Sequence, residues 1–316
     1  MSLDRTFLIR SEDKDKHKRL DTFLCEKLPD FSRSQIKAFF EAGHFQSSVK
    51  LNLKKLPEIN TKIVFNEPEV TKSELTSQNI PLNILYEDEF LLILNKPAGM
   101  VVHPAPGNPD GTLVNALLYH CQDLKGIGHI ERPGIVHRLD KGTTGLMVVA
   151  KEQKTHNALV ELFSKHDIQR QYQAIVLGSK LTDQTIETKI GRHPKDRLKM
   201  STKVKEGKNA ITHLKVLKYF DSFSHVQLTL ETGRTHQIRV HLSEVTKTPI
   251  INDATYGRAK EEKLKLGGIL AILKGYEHPL LHAKVLGFIH PMTQKELYFE
   301  IGPNETFKKV LEALQS

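Results

Sequence analysis

Over residues 17–65 the apolar positions fall at helical spacing. In KRLDTFLCEKL, Leu20, Phe23, Leu24 and Leu28 recur every three or four residues, the stripe of an amphipathic helix that Pro29 ends. FSRSQIKAFFEAG predicts a second helix. Ser32 suits its N-cap, Gln35 completes a capping box, Ile36, Phe39 and Phe40 form the apolar face, and Gly43 suits the stop. Arg33 and Lys37 lie one turn apart on its polar side. Residues 66–80, NEPEVTKSELTSQNI, are polar without a period and read as a linker.

From Ile84 the pattern turns to strands. FLLILNK and GLMVVAK are apolar runs, and SHVQLTLETG alternates with Val226, Leu228 and Leu230 on one face. HQIRVHL alternates too, Ile238, Val240 and Leu242 against Gln237, Arg239 and His241, and predicts another strand. IQRQYQAIV, LLHAKVLGFIH and KELYFEI add further strands. Helices come singly between them: TLVNALLYHC, then QKTHNALVELFSKH through Ala158, Leu159, Leu162 and Phe163, then a closing ETFKKVLEAL. This succession predicts an α+β fold with a mainly antiparallel mixed sheet, preceded by a small N-terminal unit. The division expected is residues 1–75 and residues 76–316, with no internal repeat.

Composition narrows the class. At 316 residues, two domains and ample core are expected. No apolar stretch reaches the ~18 residues of a membrane span, and the charged start lacks the apolar run of a signal peptide. Cys25 and Cys121 are the only cysteines, which fits neither a disulfide framework nor a metal-ligand spacing, so a reducing cytoplasm is expected. The net charge is +9, which favours a polyanionic partner, most simply nucleic acid, although a generic basic enzyme carries similar charge. Residues 14–55 hold ten Lys/Arg against five Asp/Glu. Residues 189–208 hold eight against two, Arg192, Arg197 and Lys199 among them, either a footprint for phosphates or a solvated basic hairpin.

Several chemistries drop out. There is no phosphate-binding lysine loop and no G-x-S-x-G elbow. His236 and His241, five apart on an alternating strand, would face opposite sides, and His278, His282 and His290 are spread over a turn and a strand, so no metal site is expected. Polar residues at the edges of apolar strands remain. In VHRLDKGTTGLMVVAK, Asp140 begins a tight turn before a strand, and Arg138 could keep it ionised; the pair reads equally as a loop-closing ion pair. Tyr172, among Arg170, Ala174 and Val176 on one strand face, reads as core or as site. Arg234 follows a Thr-Gly turn and, by parity, lies on the apolar side with Ile238 and Val240. A buried arginine needs a carboxylate, and Asp140 is the economical partner. Arg239 and His241 are expected to face solvent or substrate. NKPAGMVVHPAPGNPDGTLVNAL, rich in Pro and Gly, could frame a cleft.

HRLDKGTTGLMVVAK, with NKPAGMVVHP upstream and TGRTHQIRVHL downstream, resembles the RluA-type pseudouridine synthases. GNPDGTLVNALL and PGIVHRLDK look most like the RluD-like branch, which acts on large-subunit rRNA. The likeness covers roughly residues 84–303, and RLDTFL…SRSQIKAFFEAG resembles an S4 RNA-binding domain of the αL type. The resemblance implies conversion of uridine in RNA to pseudouridine without a cofactor or metal, by a monomer that acts away from membranes, on large-subunit rRNA or an assembling ribosomal subunit. A tRNA substrate, or a non-catalytic RNA-binding assembly factor on the same fold, are the alternatives. It implies Asp140 as the catalytic aspartate, Tyr172 as the active-site tyrosine and Arg234 as the basic partner of the aspartate. Arg138, His137, Arg33, Lys37, Arg192, Arg197 and Lys199 are the expected RNA contacts. Two departures stand out: Gly142 replaces the family's usual Asp after HRLDK, and NDATYG stands for GDPVYG with Asp253, Tyr256 and Gly257 kept.

Overall fold

The computed structural model describes residues 4–29, 31, 33–67, 75–105, 107–129, 132–196, 198–257 and 268–315. The N-terminal unit holds β1 (Asp4–Leu8), three helices, α1 (Ser11–Lys16), α2 (Leu20–Lys27) and α3 (Arg33–Glu41), then β2 (Phe45–Ser47) and β3 (Lys62–Asn66). The strands pair antiparallel in the order β1-β3-β2. The helical stripes expected here supply a separate core, in which Phe23, Leu24, Ile36 and Phe65 are buried and Phe45 stacks on Phe65 with ring centroids 4.7 Å apart. Gly43, at φ +81°, ends the turn after α3 in the left-handed region that glycine adopts without strain. The expected N-cap Ser32, and residues 68–74 of the expected linker, lie outside the described residues. The rest of that segment is strapped down, since Gln78 N–H donates to Asn115 O at 3.0 Å and Leu75 packs on the larger core.

The larger unit is built on a ten-stranded sheet. Its elements in chain order are β4 (Ile84–Glu87), β5 (Leu91–Lys96), α4 (Leu113–His120), the small hairpin β6 (Gly128–His129) and β7 (Arg132–Pro133), β8 (Thr144–Ala150), α5 (Gln153–Lys165), β9 (Gln169–Leu177), β10 (Gln184–Arg192), β11 (Met200–Ser201), β12 (Lys208–Tyr219), β13 (Phe223–Leu230), α6 (Gln237–Val240), α7 (Ile269–Leu273), β14 (Leu281–Ile289), β15 (Glu296–Glu300) and α8 (Glu305–Ala313). The sheet runs β11-β10-β12-β13-β9-β14-β8-β5-β4, with β15 also on β14. Only β14 and β8 pair parallel, so the fold is α+β with a mainly antiparallel mixed sheet. Both faces are covered in the middle. Along β5, Leu92 and Leu94 enter one core while Leu91 and Ile93 enter another beneath α5, and all seven residues of β8 are buried. That is why GLMVVA reads as an unbroken apolar run rather than an alternation.

The turn before β8 is closely packed. A Cβ on Gly145 (φ +117°) would fall 2.2 Å from Ala283 O, so only glycine lets the start of β8 meet β14. A Cβ on Gly142 would fall 2.6 Å from Pro279 Cδ. The unusual glycine after HRLDK is therefore matched by the proline that packs on it.

One expected strand is a helix. HQIRVHL forms α6, which continues in wider π-type winding over His241–Val245. The Gln237 side chain holds the chain in this course: Oε1 accepts from Thr232 Oγ1 (2.8 Å) and Arg234 N (3.0 Å), while Nε2 donates to Ile211 O (2.9 Å) and Thr212 Oγ1 (3.0 Å). Residues 237–242 are all buried, so their alternation marked no face; neither Arg239 nor His241 faces open solvent, and of the two only Arg239 borders a cleft.

Candidate active site

The turn after Leu139, the start of β9 and the segment leading into α6 enclose a cleft of about 550 Å³. Asp140, Tyr172 and Arg234 all line it, as do Arg138, His236 and Arg239. Asp140 is positioned by its turn, in which Thr143 N–H donates to Asp140 O at 3.0 Å. Lys96, fully buried at the end of β5, ties this turn to its neighbour: Nζ donates to Pro97 O (2.8 Å), Met100 O (2.9 Å) and Lys141 O (3.3 Å). Burial pulls the Lys96 pKa down to about 7, against the opposing pull of nearby Asp140.

The arginine that meets the carboxylate is Arg239, not Arg234. Arg239 Nη1 donates to Asp140 Oδ2 at 3.2 Å. Its other edge is clamped by Asp253, Nε to Oδ2 at 2.7 Å and Nη2 to Oδ1 at 2.8 Å. Asp253 is 1% exposed and also accepts from the main-chain N–H groups of Thr255 and Tyr256. The guanidinium lies over the Tyr256 ring, 5.0 Å from its centroid. Burial alone would lower the Arg239 pKa, but its two carboxylates raise it, so the cation is permanent. Arg234 also lines the cleft, but its Nε donates to Asn209 O at 2.9 Å. Arg234 and Ile238 share no strand face, because the chain between them enters a helical turn.

His236 stands beside the pair. It holds φ +56°, a left-handed backbone for a residue with a side chain, directly before α6. Its Nε2 is 3.9 Å from Asp140 Oδ1, and Nδ1 shares a hydrogen bond of 2.8 Å with Tyr256 Oη. Burial pushes its pKa down, with Asp140 opposing. Tyr172 is buried, and its hydroxyl has no hydrogen bond among the described residues. Burial raises the phenol pKa; the Arg170 charge acts against that rise and the Asp140 charge adds to it, so Tyr172 lies under the influence of both groups.

Residues 90–244 match the family model described as RNA pseudouridylate synthase. A ribosomal large subunit pseudouridine synthase D from Xanthomonas campestris is 39% identical over 304 residues, covering 94% of this chain and 89% of its own. The chain belongs to the RNA pseudouridylate synthase family. An uncharacterized RNA pseudouridine synthase of a Synechocystis strain is 45% identical over 300 residues, covering 93% of this chain and 88% of its own. Among solved structures, the human RNA pseudouridylate synthase domain containing 4 superposes with a TM-score of 0.58 at 29% identity, covering 74% of this chain and 93% of that one. Membership makes the protein an isomerase of uridine in RNA.

Within this synthase the expected RNA contacts scatter. Arg138 is exposed at the cleft. His137 forms its wall: the ring stacks on Phe163 at 4.6 Å, and Nε2 accepts from Val148 N–H at 3.0 Å. Burial pulls its pKa down to about 3, so it stays neutral, as an acceptor nitrogen requires. Arg33 and Lys37 sit apart in the N-terminal unit and already have partners, Asp21 at 2.8 Å and Glu41 at 3.6 Å. Lys199 lies 3.7 Å from Asp196 near the β10–β11 turn, Arg192 ends β10, and Arg197 lies outside the described residues. Asp253, Tyr256 and Lys96 were not expected as site residues, and Arg239 only as a residue facing solvent or substrate; the kept Asp and Tyr of NDATYG were the available signal for two of them. Among the described residues, Glu87, His120 and Cys121 bring metal-type ligand atoms within 4.8 Å of one another, but none lines the cleft, and Glu87 is held by Lys151 at 2.7 Å. No helix among the described residues is long and apolar enough to cross a membrane.

Proposed function

We propose that the protein converts uridine to pseudouridine in large-subunit ribosomal RNA, with Asp140 as the catalytic group. The observation that carries the chemistry is a carboxylate fixed by a doubly clamped arginine in a cleft walled by a tyrosine. The N1–C1′ bond breaks, the uracil turns, C5 bonds to C1′, the C5 proton leaves and N1 takes one up. Atoms balance without a redox step. The Asp140 carboxylate serves attack on C1′ and removal of a ribose proton to give a glycal equally well, and Arg239 Nη1 holds its Oδ2 in either route. Tyr172 offers a ring face to the uracil. Taking the C5 proton would require its phenolate, which Arg170 favours and burial opposes.

The target base must leave its stack, at a cost of a few kcal/mol that is least in a loop. The large-subunit target is supported by the names of the relatives, including those from Xanthomonas and Xylella, at about 40% identity. Residues 1–75, the S4-like unit, and the basic 189–208 stretch then supply phosphate contacts around the cleft.

RNA carrying tritium at uracil C5 tests the chemistry. Wild type releases tritium, and Asp140→Asn and Asp140→Ala lower release at least ~1,000-fold; undiminished release would remove Asp140 from its role. Mapping pseudouridine in RNA from cells lacking the gene tests the substrate. Loss from a large-subunit stem-loop is expected, and loss confined to tRNA would reassign it.

A further inference from the structure

A second buried arginine lines the cleft, and the chemistry above gives it no ligand. Arg170 leaves β9 two residues before Tyr172 and is 7% exposed. Its Nη2 donates to Leu230 O at 3.3 Å and Glu231 O at 2.7 Å, but Nε is buried with no partner and Nη1 has none among the described residues. No carboxylate pairs with it among the described residues. The guanidinium lies over the Phe163 ring, 5.3 Å from its centroid. At its other edge is Gly233, where a Cβ would fall 3.0 Å from Nη1. Gly233 has ordinary backbone geometry, so what glycine contributes there is space.

A ring face and two main-chain carbonyls compensate a buried cation only in part, and an unpaired one costs several kcal/mol. Asp140 is the only carboxylate among the described residues lining the cleft, and Arg239 already holds it. The substrate is a polyanion. A uracil carbonyl would satisfy a donor and leave the charge, whereas a phosphate oxygen satisfies both and suits the guanidinium fork. We propose that Arg170, through Nη1 in the gap beside Gly233, binds a phosphodiester group of the RNA strand next to the uridine that enters the cleft. The inference rests on the reading of RNA as substrate and adds a specific anion subsite to it.

Binding of a short oligouridylate and of its neutral methylphosphonate counterpart tests this. Arg170→Met should weaken binding of the phosphodiester strand about 10- to 100-fold, and lower the slope of log K against log salt by about 0.7. Arg170→Lys, which keeps the charge, should restore most of both. On the methylphosphonate strand, wild type and Arg170→Met should bind alike. A gap that persists on the neutral strand, or equal binding of wild type and Arg170→Met to the charged one, overturns the inference. So does a salt slope that Arg170→Met leaves unchanged, which would mark a packing role. If Arg170→Met does not fold, Gly233→Val, which fills the gap, must show the same backbone-dependent loss. Wild type that binds no oligouridylate at low salt would sink the RNA reading with it, whereas normal tritium release alongside an unchanged salt slope would sink only the subsite.

Discussion

Arg239 and Arg170 are both buried arginines of one cleft, and they are held in opposite ways. Arg239 has a carboxylate on each edge, a tyrosine ring beneath it and two main-chain N–H groups fixing Asp253. Arg170 has two carbonyls, a phenyl ring and, among the described residues, no counter-charge. The reacting end of the cleft is thus complete before RNA arrives, and the far end is completed by it. Preorganisation belongs where charge develops in the reaction, and an unmet charge belongs where a polyanion must be captured.

The contrast can be broken most sharply by removing Asp253. Asp253→Ala strands a buried cation and should cost about 3–5 kcal/mol in urea unfolding. Arg170→Met strands no charge, only the donor-less Leu230 and Glu231 carbonyls, and should change stability by less than about 1 kcal/mol. Equal losses would mean that Arg170 has a protein counter-charge after all. Next in size, Arg239→Met should lower kcat about 100- to 1,000-fold, while Arg234→Met should lower it less than about 10-fold because its bond runs to Asn209 O rather than to Asp140. A larger effect at Arg234 would return the aspartate's partnership to it.

The smallest effect sharpens the contrast from the neutral side. Burial lowers the pKa of His241 and of His282 to about 4, and both are fully enclosed. Between pH 6.5 and 4 the unfolded chain binds protons that these folded histidines refuse. Stability should therefore fall as pH falls through that window, by up to about 1.4 kcal/mol per pH unit for each ring. His241→Gln should flatten the slope, read from denaturant midpoints at several pH values, and an unaltered slope would show that the ring is protonated in place. The arginines keep their charge throughout, so the contrast between them should survive the acid range.

The strands and helices whose apolar periods face one core were legible in the sequence, as with α2, α3, α5 and β13. GLMVVA was legible as buried because both of its faces are covered. The segment after Gly233 was not. Six consecutive buried residues carry no facial information, and the side chain that bends the chain there, Gln237, does so through contacts on β12 at Ile211 and Thr212. Local pattern cannot show a bond to a strand that distant in the chain. The same error moved the aspartate's partner from Arg239 to Arg234. Asp140 and Tyr172 were legible as polar groups on apolar strand edges, but their meeting in one cleft depends on the β14 insertion between β8 and β9, a topological fact.

Lys96 turns this architecture into something that can be timed. Its amine is enclosed by the carbonyls of two loops, one of them carrying Asp140 towards the cleft. An acylating reagent can reach it only when those loops part, which also lifts the burial that pulls its pKa down to about 7. The acylation rate of this one lysine, set against that of the surface lysines, is thus a clock for opening of the aspartate's loop, running without substrate and in the intact protein.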